Sequence, residues 1–143
     1  MNRMNRITQY AAFLCLGLCT AAPAFATSEA DARAALSRQG YGAIHDLEYE
    51  DGLWEAEVVR VDGSRGEVVV DGTGRIHDAR DGRPRLDAVA IGAALSAAGY
   101  REVREIESDG AVWSADAMAA DGRKVELRLS AYDGSVLSEQ LDD

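Results

Sequence analysis

The stretch ALSRQGY at residues 35–41 is repeated as ALSAAGY at residues 94–100, which sets an offset of 59 positions between two parts of the chain. The likeness continues at that offset, since Trp54 falls on Trp113 and the chain has only these two tryptophans. A fixed spacing between similar segments indicates a duplicated structural unit. The sequence therefore predicts two copies of one small fold.

The copies occupy residues 27–76 and 86–143, and the segment HDARDGRPR at 77–85 joins them as a linker. The charges of this segment, together with Gly82 and Pro84, are typical of a connection between folded units. Copies of 50 and 58 residues are small for independent hydrophobic cores. We therefore expect the copies to stabilise each other.

Each copy begins with an alanine-rich helix of about three turns. Thr27 or Ser28 can cap the first helix and Asp87 the second. Gly40 and Gly99 are expected to end the helices in the left-handed conformation. Helices this short are marginal in isolation, so each must pack against another element.

Three strands follow each helix, as apolar runs and alternating patterns between glycine-containing turns indicate. The predicted strands are 44–50, 53–61 and 66–71 in copy one, and 102–108, 112–120 and 124–130 in copy two. Asp62-Gly63 and Asp121-Gly122 are typical of hairpin turns between the second and third strands. The fold class is therefore α+β, with two tandem repeats of a helix on a three-stranded antiparallel sheet.

The central strands indicate which face of each sheet the helix covers. Trp54 and Ala56 share one side in copy one, as Trp113 and Ala115 do in copy two. The opposite faces carry a mixture of charged and apolar residues. Two such sheets could join edge to edge or meet a partner through the mixed faces, and the sequence does not decide between these arrangements.

Residues 1–26 have the layout of a cleavable secretory signal. Arg3 and Arg6 come before an apolar run, and Ala24-Phe25-Ala26 supplies the small residues that signal peptidase needs. A membrane anchor is disfavoured, because the run is shorter than the roughly 20 residues that a spanning helix requires. We expect a periplasmic protein with no stable membrane anchor after cleavage, with full secretion as the alternative.

Cleavage would remove both cysteines and two arginines, which takes the formal charge from −10 to −12. The exported part then has no disulfide, no thiol nucleophile and no thiolate metal site. Its acidity argues against nucleic acid as a partner, because phosphate binding needs basic groups.

The helix that ends in glycine, the aromatic-led central strand and the D-G hairpin resemble the PepSY domain family. Copy two matches best, through Val103, Ile106, Trp113, Asp121-Gly122 and the closing run Ala131-Tyr132-Asp133-Gly134-Ser135-Val136-Leu137. The resemblance covers nearly all of 27–143 and implies a helix-on-sheet fold used outside the cytoplasmic membrane. PepSY domains occur in propeptides of thermolysin-type proteases, where they are linked to inhibition of the protease. The resemblance carries over no catalytic residue.

Motifs for nucleophilic catalysis and phosphate binding are missing from the sequence. It has no G-x-S-x-G elbow and no glycine-rich phosphate loop. His45 and His77 are isolated and lie outside any H-E-x-x-H run, which predicts solvated surface side chains. We therefore expect a protein that is not an enzyme and that uses no cofactor.

Seven side chains are candidate contacts for a partner, because Trp and Tyr dominate interaction hot spots and paired carboxylates can bind cations. They are Tyr41, Trp54, Glu55, Glu57, Tyr100, Trp113 and Tyr132. For the tyrosines and tryptophans that recur in both copies the sequence favours a place in the core, and for the two glutamates it favours a solvated sheet face.

These observations favour an exported, non-enzymatic module that binds an envelope protein. A peptidase that the module restrains is the partner that the resemblance implies. The alternative is a periplasmic sensor of a cation or small ligand, which would use the acidic sheet face around Glu55 and Glu57. A hydrolase that uses carboxylates alone is the least favoured class.

Overall fold

Two copies of one helix-and-sheet unit follow each other in the computed structural model, which describes residues 27–142. The first repeat contains α1 (Glu29–Arg38), β1 (Ile44–Glu50), β2 (Leu53–Val59), β3 (Arg65–Val70) and β4 (Ile76–Asp78). The second repeat contains α2 (Ala88–Ala97), β5 (Arg101–Asp109), β6 (Val112–Met118), β7 (Lys124–Ser130) and β8 (Val136–Leu141). The predicted α+β class and the tandem arrangement are confirmed.

The predicted number of strands is corrected from three to four in each repeat. The two antiparallel sheets have the strand orders β1-β2-β3-β4 and β5-β6-β7-β8. β4 contains only three residues, and two of them, His77 and Asp78, fall in the segment that the sequence assigns to the linker. A strand this short cannot show the alternation of side chains that marks a strand in a sequence.

The helices begin and end through the local chemistry that the sequence indicates. The side chains of Ser28 and Asp87 cap them by accepting hydrogen bonds from backbone N–H groups three residues later. Gly40 and Gly99 follow the helices with φ of +90° and +96°. This left-handed conformation, which glycine adopts without a steric penalty, turns the chain towards the first strand.

Each helix packs on the face of its own sheet that carries the tryptophan. The buried core of the first repeat consists of Ala32, Leu36, Ala56, Val58, Val68 and Val70. The buried core of the second consists of Ile91, Leu95, Ala115, Ala117, Ala119, Val125, Leu127 and Leu129. Trp54 and Trp113 lie half-buried against these cores, on the side that their strand parity predicts.

The mixed faces of the two sheets pack against each other. A third apolar cluster joins residues from both sheets, on the faces turned away from the helices: Leu53, Val69, Val112 and Leu137. Beside this cluster, Arg128 Nη2 of the second sheet lies 2.7 Å from Glu55 Oε1 of the first. The two sheets therefore remain separate and share a core between their mixed faces.

The outer strands β1 and β5 contain irregularities in their pairing. Asp46 in β1 and Glu105 in β5 occupy equivalent positions and have φ of +46° and +50°, and Glu102 repeats this conformation in β5. The register of both strands shifts around these residues. Bulges and charged side chains at a sheet edge discourage pairing with a strand from another chain.

Neither of the two described helices is long and apolar enough to cross a membrane. The predicted signal at residues 1–26 lies outside the described residues.

Candidate protein-binding site

A cleft of about 280 Å³ opens in the first repeat between the end of α1 and the hairpin that joins β2 to β3. The residues that line it are Gln39, Gly40, Tyr41, Arg60, Val61, Asp62 and Asp78. Gly40 turns the chain after the helix, so Tyr41 lies between the helix end and the hairpin, where it also packs on the core. We call this hollow the first helix-end cleft.

Asp78 is the centre of a polar triad in this cleft. The hydroxyl of Tyr41 donates to Asp78 Oδ2 at 2.9 Å. Arg60 donates to both carboxylate oxygens, through Nε to Oδ2 at 2.7 Å and through Nη2 to Oδ1 at 2.8 Å. The side chains of Arg60 and Asp78 are only 12% and 8% exposed. A bidentate ion pair with so little solvent holds its members in one geometry.

The triad determines the protonation states of its members. Burial, followed by the hydrogen bond to Asp78, raises the pKa of Tyr41 well above its ordinary value. Burial alone would raise the pKa of Asp78, but hydrogen bonds from Arg60, the Arg80 N–H and Tyr41 outweigh it and lower that pKa. At neutral pH the phenol is a neutral donor and both carboxylate oxygens already accept hydrogen bonds. These states suit a rigid surface better than proton transfer.

An equivalent cleft of about 290 Å³ lies in the second repeat. It is lined by Ala98, Gly99, Tyr100, Ala119, Ala120, Asp121, Arg123 and Glu139. The hydroxyl of Tyr100 donates to Glu139 Oε2 at 2.7 Å, and Arg123 Nη2 donates to Glu139 Oε1 at 3.3 Å. Burial, followed by the hydrogen bond to Glu139, raises the pKa of Tyr100 to about 12. In this second helix-end cleft the charged pair is less buried, because the Arg123 side chain is 51% exposed.

The two triads use the same chemistry but not the same positions. Arg60 precedes its D-G turn, whereas Arg123 follows the turn of the second repeat. Asp78 belongs to the predicted linker, and Glu139 lies one residue beyond the position that matches it. Comparison of the copies therefore finds the two tyrosines and misses their four charged partners. The position of Arg60 and Arg123 within two residues of a D-G turn is the sequence feature that could have identified them.

The hairpins beside the clefts are closed in the same way in both repeats. The N–H of Arg60 donates to the carbonyl of Ser64 at 2.8 Å. In the second repeat, the N–H of Ala119 donates to the carbonyl of Arg123 at 2.9 Å. Each three-residue loop ends on a glycine with positive φ, which is a common hairpin geometry. Val61 at the tip of the first hairpin is 87% exposed. The hairpin therefore presents an apolar side chain next to the cleft.

The two candidate tryptophans lie outside these clefts. Trp54 Nε1 donates to the carbonyl of Thr27 at 2.6 Å, which holds the start of the described chain against the first sheet. Trp113 packs on the core of the second repeat, and its Nε1 has no hydrogen-bond partner among residues 27–142. Both rings contribute to the packing of a helix on its sheet.

Glu55 and Tyr132 make contacts near the junction of the repeats, and Glu57 does not. Glu55 is half-buried against Arg128, so a solvated face is the wrong description for it, whereas Glu57 is exposed on β2. Burial, followed by the carboxylates around it, raises the pKa of Glu55 in spite of the Arg128 charge. The Tyr132 hydroxyl donates to the backbone carbonyl of Asp78. The seven candidates thus lie in several places and not on one surface.

The prediction of a solvated surface histidine is wrong for His77. His45 is exposed, but His77 is 1% exposed and its Nε2 lies 2.9 Å from Asp71 Oδ2. Burial alone would raise the pKa of Asp71, but hydrogen bonds from His77, Thr73 and the backbone N–H of Arg75 outweigh it and hold that pKa far below its ordinary value. The short strand β4 brings His77 inside, and the sequence does not show that strand.

A third hollow, of about 250 Å³, lies over the acidic part of the first sheet. Its carboxylates are Asp46, Glu48, Glu50, Glu55, Glu57 and Glu67. Within the described range 27–142, no group of three or more His, Cys, Asp and Glu side chains is arranged to hold a metal ion. The carboxylate of Glu55 is moreover engaged by Arg128.

A comparison with known protein families gives a match that covers both repeats. A family model described as "Peptidase propeptide and YPEB domain" matches it twice, over residues 10–79 and 77–140. The two matches meet at β4, where the first sheet ends. No curated protein matches the chain.

Proposed function

Because the chain belongs to the PepSY family of peptidase propeptide and YPEB domains, we propose that it is a binding module that restrains a peptidase. In this proposal the protein is exported, has no catalytic activity of its own and docks on a peptidase of the cell envelope. The contact surface consists of the two helix-end clefts and the hairpins beside them.

The observation that carries the proposal is the presence of one cleft in each repeat, built from the same chemistry. Volumes of about 280 and 290 Å³ lie at the lower limit for small-molecule sites, which span about 300–1,000 Å³. Hollows of this size suit one or two side chains of a protein partner. The exposed Val61 beside the first cleft gives a docked partner an apolar side chain to bury.

The charged groups of the clefts support binding over catalysis. In the first cleft, both carboxylate oxygens of Asp78 accept hydrogen bonds from Arg60 and Tyr41, and Arg60 keeps one buried nitrogen, Nη1, without a partner among residues 27–142. A nucleophile needs an adjacent base that orients it, and the raised pKa of Tyr41 keeps its phenol neutral. Rigid, internally paired groups cost little entropy when a partner docks on them.

Two of the four outer strands, β1 and β5, are poor sites for strand addition. Bulges at Asp46, Glu102 and Glu105 interrupt the free edges of β1 and β5. A peptide that adds to a sheet needs a regular row of backbone donors and acceptors. Of the two remaining edges, β4 has only three residues and β8 has six.

The direct test places a photo-crosslinker on the hairpin. The chain has two cysteines, Cys15 and Cys19, and both lie in the predicted signal, so Val61→Cys gives the exported chain a single labelling position. We expect this variant to form an adduct with a peptidase in the envelope fraction. The purified peptidase should then lose activity when the wild-type protein is added.

The matched control is Val89→Cys, which labels another exposed valine (80% exposed) on α2, away from both hairpins. It should give no peptidase adduct. Val61→Asp should restrain the peptidase less than the wild type, because a charge replaces the apolar contact. The proposal fails if Val61→Cys captures no peptidase, if Val89→Cys captures it equally well, or if the captured peptidase keeps its full activity.

The cation-sensor alternative receives less support. The acidic hollow on the first sheet is lined by six carboxylates, but Arg128 already neutralises part of that charge through Glu55. Thermal unfolding with and without calcium tests it, since a ligand that binds only the folded state raises the melting temperature. An unchanged melting temperature across divalent ions would remove this alternative.

A further inference from the structure

Three arginines converge on one cavity at the junction of α1, the β3–β4 turn and the linker. The cavity has a volume of about 360 Å³ and borders the first helix-end cleft at Gln39, which lines both. Arg38 comes from the last turn of α1, Arg75 from the turn before β4, and Arg83 from the linker. Gln39 adds an amide, and Ala35 and Ile76 add apolar surface.

This concentration of positive charge stands out in a chain with a formal charge of −10. Arg75 reaches a carboxylate, that of Asp133, only at 4.0 Å. Arg38 makes no ion pair with any residue in the range 27–142 that the structure describes. A position at the end of a helix explains a single basic residue through the helix dipole, but it does not explain why two further arginines from other elements meet it.

Arg83 is held in place before any ligand arrives. Its guanidinium lies 3.7 Å from the centre of the Tyr132 ring and pairs with Asp81 through Nη2 at 2.5 Å. These two contacts fix the plane of the guanidinium group. Its charge is already compensated by Asp81, so Arg38 and Arg75 are the arginines left to pair with a ligand.

We propose that the cavity binds a carboxylate group, carried either by a small organic acid or by the carboxyl terminus of a peptide. The guanidinium groups of Arg38 and Arg75 would pair with the two oxygens, and Ala35 and Ile76 would contact the adjoining carbon chain. This site does not depend on the proposed docking of a peptidase.

The test is calorimetric titration of the protein at low salt with three probes. They are succinate, a short peptide with a free carboxyl terminus, and the same peptide with a terminal carboxamide. We expect succinate, the peptide acid or both to bind, and the carboxamide not to bind. Inorganic phosphate, titrated for comparison, should bind more weakly than succinate. The tighter of the two carboxylates identifies the source of the group. Added salt should weaken the binding, because the attraction lies between exposed charges.

Arg38→Gln and Arg75→Gln should each weaken binding about tenfold, since each removes a hydrogen bond between charged groups. Arg33→Gln is the matched control, because it removes the same charge from an exposed position on the same helix. It should leave the affinity unchanged, and thermal unfolding should show that all three variants fold.

Four outcomes would overturn the proposal. They are no binding of either carboxylate, equal binding of the peptide acid and the carboxamide, tighter binding of inorganic phosphate than of succinate, and an equal loss of affinity in Arg33→Gln. None of these outcomes bears on the restraint of a peptidase, which the crosslinking and activity measurements test at the hairpins.

Discussion

Arg128 of the second repeat lies 2.7 Å from Glu55 of the first, and this ion pair crosses the interface between the two sheets. Arg128 is 8% exposed, and its guanidinium also lies 3.1 Å from Asp109 and 3.6 Å from Asp51. One buried cation therefore compensates three carboxylates from both repeats. The pair lies beside the apolar cluster that contains Leu53, so the interface combines burial of apolar surface with charge compensation.

Arg128→Ala should destabilise the whole protein. The substitution leaves the half-buried Glu55 carboxylate without a cation. Its repulsion from the carboxylates of Asp51 and Asp109 is then no longer compensated. Breaking a fully buried ion pair costs about 3–5 kcal/mol. The carboxylates here keep part of their hydration, so we expect the free energy of unfolding to fall by about 2–3 kcal/mol. Urea denaturation followed by circular dichroism measures this change.

Arg33→Ala is the control, because it removes an arginine from an exposed pair within α1. Exposed pairs contribute little, so its urea midpoint should stay close to that of the wild type. Equal midpoints for Arg128→Ala and the wild type would contradict the role of Arg128 in joining the repeats.

The sequence predicts the core of each repeat, because residues that match between the two copies occupy the same place in the fold. Trp54 and Trp113 fall on each other, and the parity of the residues around them gives the helix-covered face of each sheet. The interface between the sheets could not be predicted in this way. Leu53 and Val112 lie on a face with mixed charge, and a mixed face looks the same in a sequence whether water or a second sheet covers it.

His77→Leu should destabilise the protein at least as much as Leu137→His. These residues occupy equivalent places in the two repeats, near the interface between the sheets. His77 has a carboxylate partner in Asp71, whereas Ser130 occupies the matching position in the second repeat. A histidine at 137 would lose apolar contacts and find no carboxylate, which should cost about 1–2 kcal/mol.

The change His77→Leu should cost about 1–3 kcal/mol, because it leaves a buried carboxylate oxygen without a donor. His77 lies against Asp71 Oδ2, whereas the donors from Thr73 and from the N–H of Arg75 all go to Oδ1. Part of this cost is offset, because the change also removes His77 Nδ1, which is buried and has no hydrogen-bond partner within 27–142. Urea midpoints of both variants give the comparison, and a clearly smaller loss for His77→Leu would show that Asp71 does not need the histidine.

A fragment that contains only residues 86–143 should unfold at a lower temperature than the pair of repeats at 27–143. Removing the first repeat exposes Val112, which is fully buried in the intact chain, and the part of Leu137 that the interface covers. It also leaves Arg128 without Glu55. The measurement is thermal unfolding by circular dichroism at equal concentration. An equally cooperative transition at the same temperature would show that the second repeat is independent.

The triads of the candidate site lie beyond what a comparison of the copies can predict. Tyr41 and Tyr100 recur at equivalent positions, so the sequence finds them. Their partners Asp78 and Glu139 come from the fourth strands, which are short and differ in position between the copies. A hydrogen bond requires that two atoms meet in space, and different positions along the chain can satisfy it. Conserved spacing therefore identifies the phenols and not the carboxylates.

Tyr100 should remain neutral to unusually high pH, because its pKa is raised to about 12 from an ordinary value of about 10. A pKa that is raised on folding means that the neutral phenol favours the folded state. This contribution to stability is complete below about pH 10 and is lost as the pH rises towards 12. Absorbance at 295 nm follows the ionisation, and urea midpoints at pH 9 and pH 11 follow the stability.

Two substitutions should move the pKa of Tyr100 in opposite directions. Glu139→Gln removes the carboxylate whose hydrogen bond and charge raise it, so the phenol should ionise at a lower pH. Arg123→Gln removes a nearby positive charge that lowers it, so the phenol should ionise at a higher pH. Tyr100→Phe identifies the transition, since it deletes that step from the absorbance curve. Shifts of both variants in the same direction would mean that the triad does not set the ionisation of Tyr100.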